Sequence, residues 1–495
     1  MGGKLTFVDD FLEKNLNGSR IHLVGAKGTG MAALAEIFSS WGVILTGADV
    51  AESFQTQNIL DRIGLEASVG FSAGNLPKEI DLIIYSAAYV PETNPQLKEG
   101  KKRGIPIMSY PAALGRLSLV SESIAIAGVH GKSTTAAMCS TIISELDLPA
   151  TVLTGTGIIN LDNSSVVIRG NKFFVAETCE YRNHFSEFKA DHVVVTNVEF
   201  EHVDSFATRK DIIKAFIKFI CGISKHGKVI YCADDFGAVE VVNKAATLRS
   251  DIKLIPYGET AHGRLNVSNV QVSESQTSFQ INCFENQLFL SVPGKHNVLN
   301  ATAAVGIVTE IMLDSRCFQP DSSVPVITKA LKHYKGGKRR TELIGEVEGI
   351  LFIDDYAHHP TAISSTLGGI SDYYPERRIV VDFMSHTFSR TKAFKEEFGA
   401  AFSLADELLL HPVYGSAREL NQVINSFDDM AESIGRMLFE HVKNKHTKVS
   451  YYSSFLEAAN YLSGTLSSGD LLITMGAGDN WKVGVETMKL IKAGS

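Results

Sequence analysis

Gly128-Val129-His130-Gly131-Lys132-Ser133-Thr134-Thr135 follows the apolar run Ile124-Ala125-Ile126-Ala127 and precedes Ala136-Ala137-Met138-Cys139-Ser140-Thr141-Ile142-Ile143. The order is strand, glycine turn, lysine, hydroxyl, helix. Glycines let backbone N–H groups approach phosphate oxygens, and a new helix N-terminus adds the positive end of its dipole. Lys132 can reach the outer phosphates while Ser133 offers an oxygen to Mg²⁺. Gly128, Val129, His130, Gly131, Lys132, Ser133 and Thr134 therefore read as an ATP site. The spacing is compact: G-x-x-x-x-G-K-[ST] asks for glycine at 126, where this chain has Ile126. The competing reading is an ordinary glycine-rich helix entry with a surface lysine. A lysine and a serine directly behind the second glycine favour phosphate.

Working outward, the residues before the loop alternate short apolar runs with helical patterns. Ile21–Val24, Val43–Thr46, Leu82–Ser86 and Ile105–Met108 read as strands, with a helix beginning near Ala32. Behind the loop, 172–176, 191–196 and 228–231 continue the pattern, and the alternation between 265 and 293 predicts an antiparallel flap. A helix is expected over 298–313. The basic stretch Lys335-Gly336-Gly337-Lys338-Arg339-Arg340 reads as a hinge or loop. Strands at 350–353, 378–381, 407–410 and 470–475 follow it. Strands alternating with helices predict parallel, doubly wound sheets. The expected architecture is three α/β domains in series, 1–119, 120–334 and 335–495.

With 495 residues, three domains is the ordinary expectation. The 47 basic and 55 acidic side chains give a net charge of −8, which argues against a nucleic-acid groove. The six cysteines show no C-x-x-C pair, which predicts free thiols in a reducing compartment. No apolar stretch approaches the ~18 residues of a membrane span, and the N-terminus has no leader pattern. The expectation is a cytoplasmic protein without membrane insertion.

Chemistry-bearing residues cluster after predicted strands, where α/β sheets place their sites. Glu177 and Glu180 follow one strand; Glu199, Glu201, His202 and Asp204 follow another. Carboxylates beside a phosphate loop suit Mg²⁺, which takes hard oxygen ligands. Zinc is disfavoured because no tight three-ligand spacing is present. Asn297 and Asn300 could present amides towards a base, or act as helix caps. Arg339 and Arg340 are either a solvated pair or an aid to phosphoryl transfer. His358 and His359 either pack and cap or serve the site. In the first glycine loop, Gly25-x-x-Gly28-x-Gly30 followed by Asp49 admits a nicotinamide cofactor or any nucleotide diphosphate.

Together these motifs resemble the Mur ligases of bacterial cell-wall synthesis over nearly the full length. The carrying residues are 21–31, 128–135, Thr196-Asn197-Val198-Glu199-Phe200-Glu201-His202, 295–304, Asp354-Asp355-Tyr356-Ala357-His358-His359-Pro360 and Gly476-Ala477-Gly478-Asp479. The opening His-Leu-Val-Gly and the His-His-Pro stretch are most similar to the alanine-adding branch. The resemblance implies a UDP-binding Rossmann-like domain, a central P-loop ATPase domain and a C-terminal Rossmann-like domain. It implies an ATP- and Mg²⁺-dependent ligase joining L-alanine to the carboxylate of UDP-N-acetylmuramate through an acyl phosphate. It further implies that His296, Asn297 and Asn300 surround the adenine. Ser133 and Glu177 would hold one Mg²⁺, and Glu177 with His202 a second. Gly25, Lys27, Gly28, Thr29, Gly30, Asp49 and Ser86 would bind the UDP-sugar. Lys132, His202, Arg340, His358, His359 and Arg390 would carry the chemistry, with His358 or His359 and Arg390 facing the alanine and phosphate side from the third domain.

The chain departs from the family pattern at Met384-Ser385, where Gln-Pro is usual, at Thr387, where arginine is common, and at Glu201, where aspartate is usual. The rival readings are a recycling ligase that adds a whole peptide, an NAD(P)-dependent oxidoreductase, and a non-catalytic nucleotide-binding regulator. The oxidoreductase leaves Lys132 and Ser133 unexplained.

Overall fold

The computed structural model describes residues 16–494 apart from 53, 55, 416–418 and 420–426. The N-terminal stretch in which no leader pattern is read lies largely outside the described residues. The first sheet has five parallel strands in the order Ala67–Val69, Ile44–Asp49, Arg20–Val24, Leu82–Tyr85, Ile107–Ser109. The helix expected near Ala32 begins at Thr29, because Gly28 already serves as its extended N-cap.

The central sheet has ten strands. From one edge they run Leu288–Leu290, Gln276–Ile281, Leu265–Ser273, Lys253–Gly258, Lys228–Cys232, His192–Val195, Glu122–Ala127, Phe173–Glu177, Ala150–Ile158 and Ser164–Ile168. Its middle is parallel and both edges are antiparallel. The expected flap continues this sheet, joined to it through Tyr257 and Gly258 pairing with Leu265 and Asn266. The hairpin 150–168 escapes a pattern reading, since Gly155 and Gly157 interrupt its strand signal.

The third sheet runs Glu342–Val347, Ile350–Asp355, Asp470–Gly476, Arg378–Met384, Glu407–Leu410, Val449–Tyr451, parallel except for its first pair.

Packing divides these modules unequally. One apolar cluster runs from Ile21, Leu23 and Phe38 through Phe174, Phe185, Val193 and Phe216, so the first and central modules share a core. The apolar clusters of the third module contain only its own residues. Across its boundary with the central module, Phe200 packs against Phe394 and the rings of His130 and His359 meet. The stretch 335–340 is pinned rather than free. Lys338 N–H donates to Gly157 O (2.8 Å), and Thr156 Oγ1 donates to Lys338 O (2.8 Å).

The strand Glu122–Ala127 lies between His192–Val195 and Phe173–Glu177, and all three point the same way. The loops that follow them therefore converge at one sheet edge, which places the site.

Candidate active site

Lys132 is the first residue of the helix Lys132–Leu146, and Gly131 caps it at a φ of +81°. Gly128 has a φ of +142°, and a Cβ there would lie 2.0 Å from Thr196 Oγ1 and 3.1 Å from Asn197 N. Only glycine fits this close approach. The loop is braced from the neighbouring strand. Asn197 Oδ1 accepts the N–H groups of Val129 (3.0 Å) and His130 (2.9 Å), while Thr196 Oγ1 donates to His130 O (2.6 Å). No sequence signal points to this role for Asn197; it emerges only when the two strands pair.

Lys132 Nζ donates to Glu180 Oε2 (2.9 Å) and also to Gly128 O and Val129 O. Glu180 Oε1 faces His202 Nε2 at 3.0 Å. Burial alone would raise the Glu180 pKa, but the charges of Lys132 and His202 outweigh it and bring the value down to about 2. Burial likewise disfavours the Lys132 ammonium, yet the Glu180 charge prevails and holds its pKa above the ordinary lysine value. Glu180, a strand-end acid by its sequence position, is thus the carboxylate paired with both Lys132 and His202. Glu177 sits differently: its Oε2 is buried without a hydrogen-bond partner. A Cβ at Gly155 would lie 2.1 Å from Glu177 Oε1, so the glycine leaves room for this carboxylate.

These residues line a cavity of about 490 Å³. Val129–Thr134, Glu177, His202, His296, Asn297, Asn300, Arg340, His358, His359 and Arg390 all border it. Asn297 is not a cap. It lies inside the helix Lys295–Asp314, its Nδ2 donating to Pro293 O (2.7 Å) and its Oδ1 accepting from Asn300 Nδ2 (3.0 Å). The solvated reading of the arginine pair fails as well. Arg339 donates to Asp354 (2.8 Å), to the carbonyls of Gly476 and Gly478 and to Asn480 Oδ1. Arg340 instead turns into the cleft, where its Nη2 donates to Ser133 Oγ (3.2 Å).

From the third module, His359 caps the helix Pro360–Tyr373 and also faces Glu199 at 3.4 Å. His130, Glu199 and His359 stand within 4.8 Å of one another across the module boundary. Thr361 Oγ1 donates to Glu199 Oε2 (3.0 Å). His358 Nδ1 donates to Tyr356 O (2.7 Å), and burial followed by the charge of Arg390 pushes its pKa well below the ordinary value. The departures at 384–387 are turned into the protein. Ser385 Oγ pairs with buried Thr391 Oγ1 (2.7 Å), and Thr387 Oγ1 caps the helix Phe388–Ala393 by accepting Arg390 N–H (3.3 Å).

The first glycine loop lies elsewhere. Asp49 accepts Lys27 N–H (2.6 Å) and Val50 N–H (2.7 Å), and burial raises its pKa. Lys27 Nζ donates to Val50 O and Glu52 O, both at 2.8 Å. A Cβ at Gly25 would lie 2.6 Å from the Tyr89 ring and 2.9 Å from Ser86 Cβ. Ser86 N–H donates to Val24 O (2.9 Å), and Gly28 ends the turn by donating to Gly25 O (3.2 Å). Thr29, Gly30, Tyr110 and Glu177 border a second cavity of about 210 Å³. Glu177 thus faces both cavities.

Three family models match the chain. They are the Mur ligase family catalytic domain at 20–121, the Mur ligase middle domain at 126–308 and the Mur ligase glutamate ligase domain at 339–478. The chain is 44% identical over 473 residues to the UDP-N-acetylmuramate–L-alanine ligase of Treponema pallidum, covering 96% of this chain and 97% of that one. It is 36% identical over 470 residues to the ligase of the same name from Borreliella burgdorferi, covering 94% and 97%. The crystal structure of the UDP-N-acetylmuramate–alanine ligase of Thermotoga maritima superposes with a TM-score of 0.76. It is 24% identical and covers 96% of this chain and 100% of its own.

Proposed function

The chain belongs to the Mur ligase family, and on that premise we propose that it joins L-alanine to the muramate carboxylate of UDP-N-acetylmuramate. ATP is converted to ADP and phosphate, in the synthesis of peptidoglycan precursors. The observation that carries this reading is the single cleft shared by Lys132, Ser133, Glu177 and His202 with Arg340, His358, His359 and Arg390. A carboxylate is a poor electrophile until one of its oxygens becomes a good leaving group. Phosphorylation to an acyl phosphate supplies that, and the L-alanine amine then attacks the carbonyl carbon and expels phosphate.

ATP phosphates sit at Gly128–Thr134, with Lys132 and Arg340 opposing the charge that moves off the γ-phosphate. His296, Asn297 and Asn300 lie on the nucleotide side. The UDP-sugar occupies the loop of Gly25, Gly28, Thr29 and Gly30, with Asp49, Lys27 and Ser86 holding the loop's shape. The second cavity leads the muramate carboxylate from this loop towards Glu177. His202, His358, His359 and Arg390 complete the reacting end. The buried, partnerless Glu177 Oε2 and the Ser133 hydroxyl of the same cavity fit Mg²⁺, a cation that takes one or two protein oxygens besides phosphate and water. His202 joins that set if it releases Glu180. Bound Mg²⁺ would neutralise phosphate charge as the γ-phosphoryl group leaves. The modules divide near 119/120 and 334/335, and the use of ATP and a UDP-sugar fits a cytoplasmic enzyme. Among the described residues, no helix is long and apolar enough to cross a membrane.

The test is phosphate release from ATP and UDP-N-acetylmuramate with L-alanine, glycine, L-serine or a muropeptide-type tripeptide added singly. Release with L-alanine foremost is expected. Release with the tripeptide alone would replace this reading with the recycling one.

A further inference from the structure

Arg390 belongs to the third module, yet the group that directs it belongs to the central one. Its Nε–H donates to Glu201 Oε1 (2.8 Å), and its Nη1–H donates to the His386 carbonyl (3.0 Å). Both side chains are nearly sealed, at 6% exposure for Arg390 and 4% for Glu201. A guanidinium is a rigid planar fork, so fixing two nitrogens sets the direction of the third. Nη2 carries no hydrogen bond among the described residues, and Arg390 borders the cleft of Lys132 and Ser133.

Glu201 is itself held. Its Oε1 also accepts His202 N–H (2.9 Å), which ties the carboxylate to the loop that carries His202. Its Oε2 lies 4.0 Å from His359 Nε2, a nitrogen with no hydrogen-bond partner. Two groups of the third module thus converge on one carboxylate of the central module. Two buried charges lose hydration, and a pair in such a place is a weak source of stability but a strong source of orientation.

We propose that Glu201 is a positioning residue for the ligation. Its carboxylate aims the Nη2 edge of Arg390 into the cleft, and only while the third module is docked on the 196–202 loop. The proposal rests on the ligase reading. It makes the reacting end complete only in the docked arrangement, since the cation sits on one module and its guide on the other.

A double-mutant cycle tests it, with alanine-dependent phosphate release measured for wild type, Glu201→Gln, Arg390→Ala and the double variant. Glu201→Gln should raise the KM for L-alanine about tenfold or more, the scale of a lost charge-assisted hydrogen bond, while the KM for ATP stays within about twofold. In the Arg390→Ala background the same change should cost less than about twofold, because the residue that Glu201 directs is gone. An equal loss in both backgrounds, or equal rises in the two KM values, would overturn the proposal. Should Glu201→Gln fail to fold, Glu201→Ala gives the same cycle with the carboxylate removed outright. A wild-type enzyme without alanine-dependent release would overturn the ligase reading instead, which separates the two failures.

Discussion

In the first glycine loop Lys27 turns inward and donates to the carbonyls of Val50 and Glu52, while in the second Lys132 donates to the carbonyls of Gly128 and Val129 and also to the Glu180 carboxylate. Both loops follow a buried parallel strand and open a helix, and both need glycine at positive φ, at Gly25 and at Gly128 and Gly131. Their acids differ in the same sense as their lysines. Asp49 is held by the backbone of its own loop and by the Tyr89 side chain, whereas Glu180 pairs with Lys132 and His202. One plan therefore serves two ends. Where the charges are consumed by backbone, the loop is a preformed rigid cradle. Where a lysine and a carboxylate also pair directly, as Lys132 and Glu180 do, the proposed role asks the lysine to exchange that partner for a phosphate.

The sharpest way to break this comparison is Lys132→Ala. Turnover should fall by about 10³-fold or more, the scale of losing a preorganised charge at the transferring group. UDP-N-acetylmuramate binding, read by calorimetry, should hold within about twofold. An equal loss of both would mean that the loops are not separate sites. Reciprocal glycine changes come next. Gly128→Ala, with its Cβ on Thr196 Oγ1, should weaken ATP binding by roughly tenfold or more and spare the UDP-sugar. Gly30→Ala, whose Cβ would lie 2.5 Å from the Tyr110 ring, should do the reverse. Nucleotide and UDP-sugar titrations of the two variants decide this.

Asp49→Asn should have a smaller effect. An Asp49 that only shapes its loop keeps most of its function as an amide, with a loss of about threefold in UDP-sugar affinity. A hundredfold loss would show that its charge meets the ligand. A separate readout, stability in acid instead of turnover or binding, concerns His386 beside Arg390. Burial, followed by the charge of Arg390, pushes the His386 pKa down to about 3. The folded state keeps this imidazole neutral, while the unfolded chain protonates it below about 6.5. Stability therefore declines as pH falls from about 6.5 towards 3, by at most about 1.4 kcal/mol per pH unit from this group. His386→Asn should flatten the upper part of that decline in urea titrations, above the range where the carboxylates titrate. An unchanged slope would place the acid sensitivity elsewhere.

Much of the scaffold is legible in the order of residues. The runs 82–85 and 124–127 are apolar without alternation, and 21–24 is so apart from His22, as strands covered on both faces must be. The glycine–lysine–serine order of 128–133 carries its own geometry. Short or glycine-broken strands such as Ala67–Val69 and Ala150–Ile158 are not legible, because their strand character comes from neighbours. The same holds in the site. Asn297 and Asn300 are readable as polar residues three apart on one helix face, but the bond that Asn300 donates to Asn297 is not. Glu180 can be placed at a strand end, yet its partners lie 48 residues before it and 22 after it in the chain.

Residue order alone determined the three α/β modules, the glycine–lysine turn that opens the central helix and the family, since each rests on local chemistry: periodic burial, glycine at positive φ, a lysine behind it. Tertiary structure alone decided which of several acids meets which cation. It seated Glu180 on Lys132, left Glu177 Oε2 without a partner and brought Glu201 across a module boundary to Arg390. Charges pair by distance in space, and the chain separation of 189 residues between Glu201 and Arg390 says nothing about that distance until the sheets have stacked.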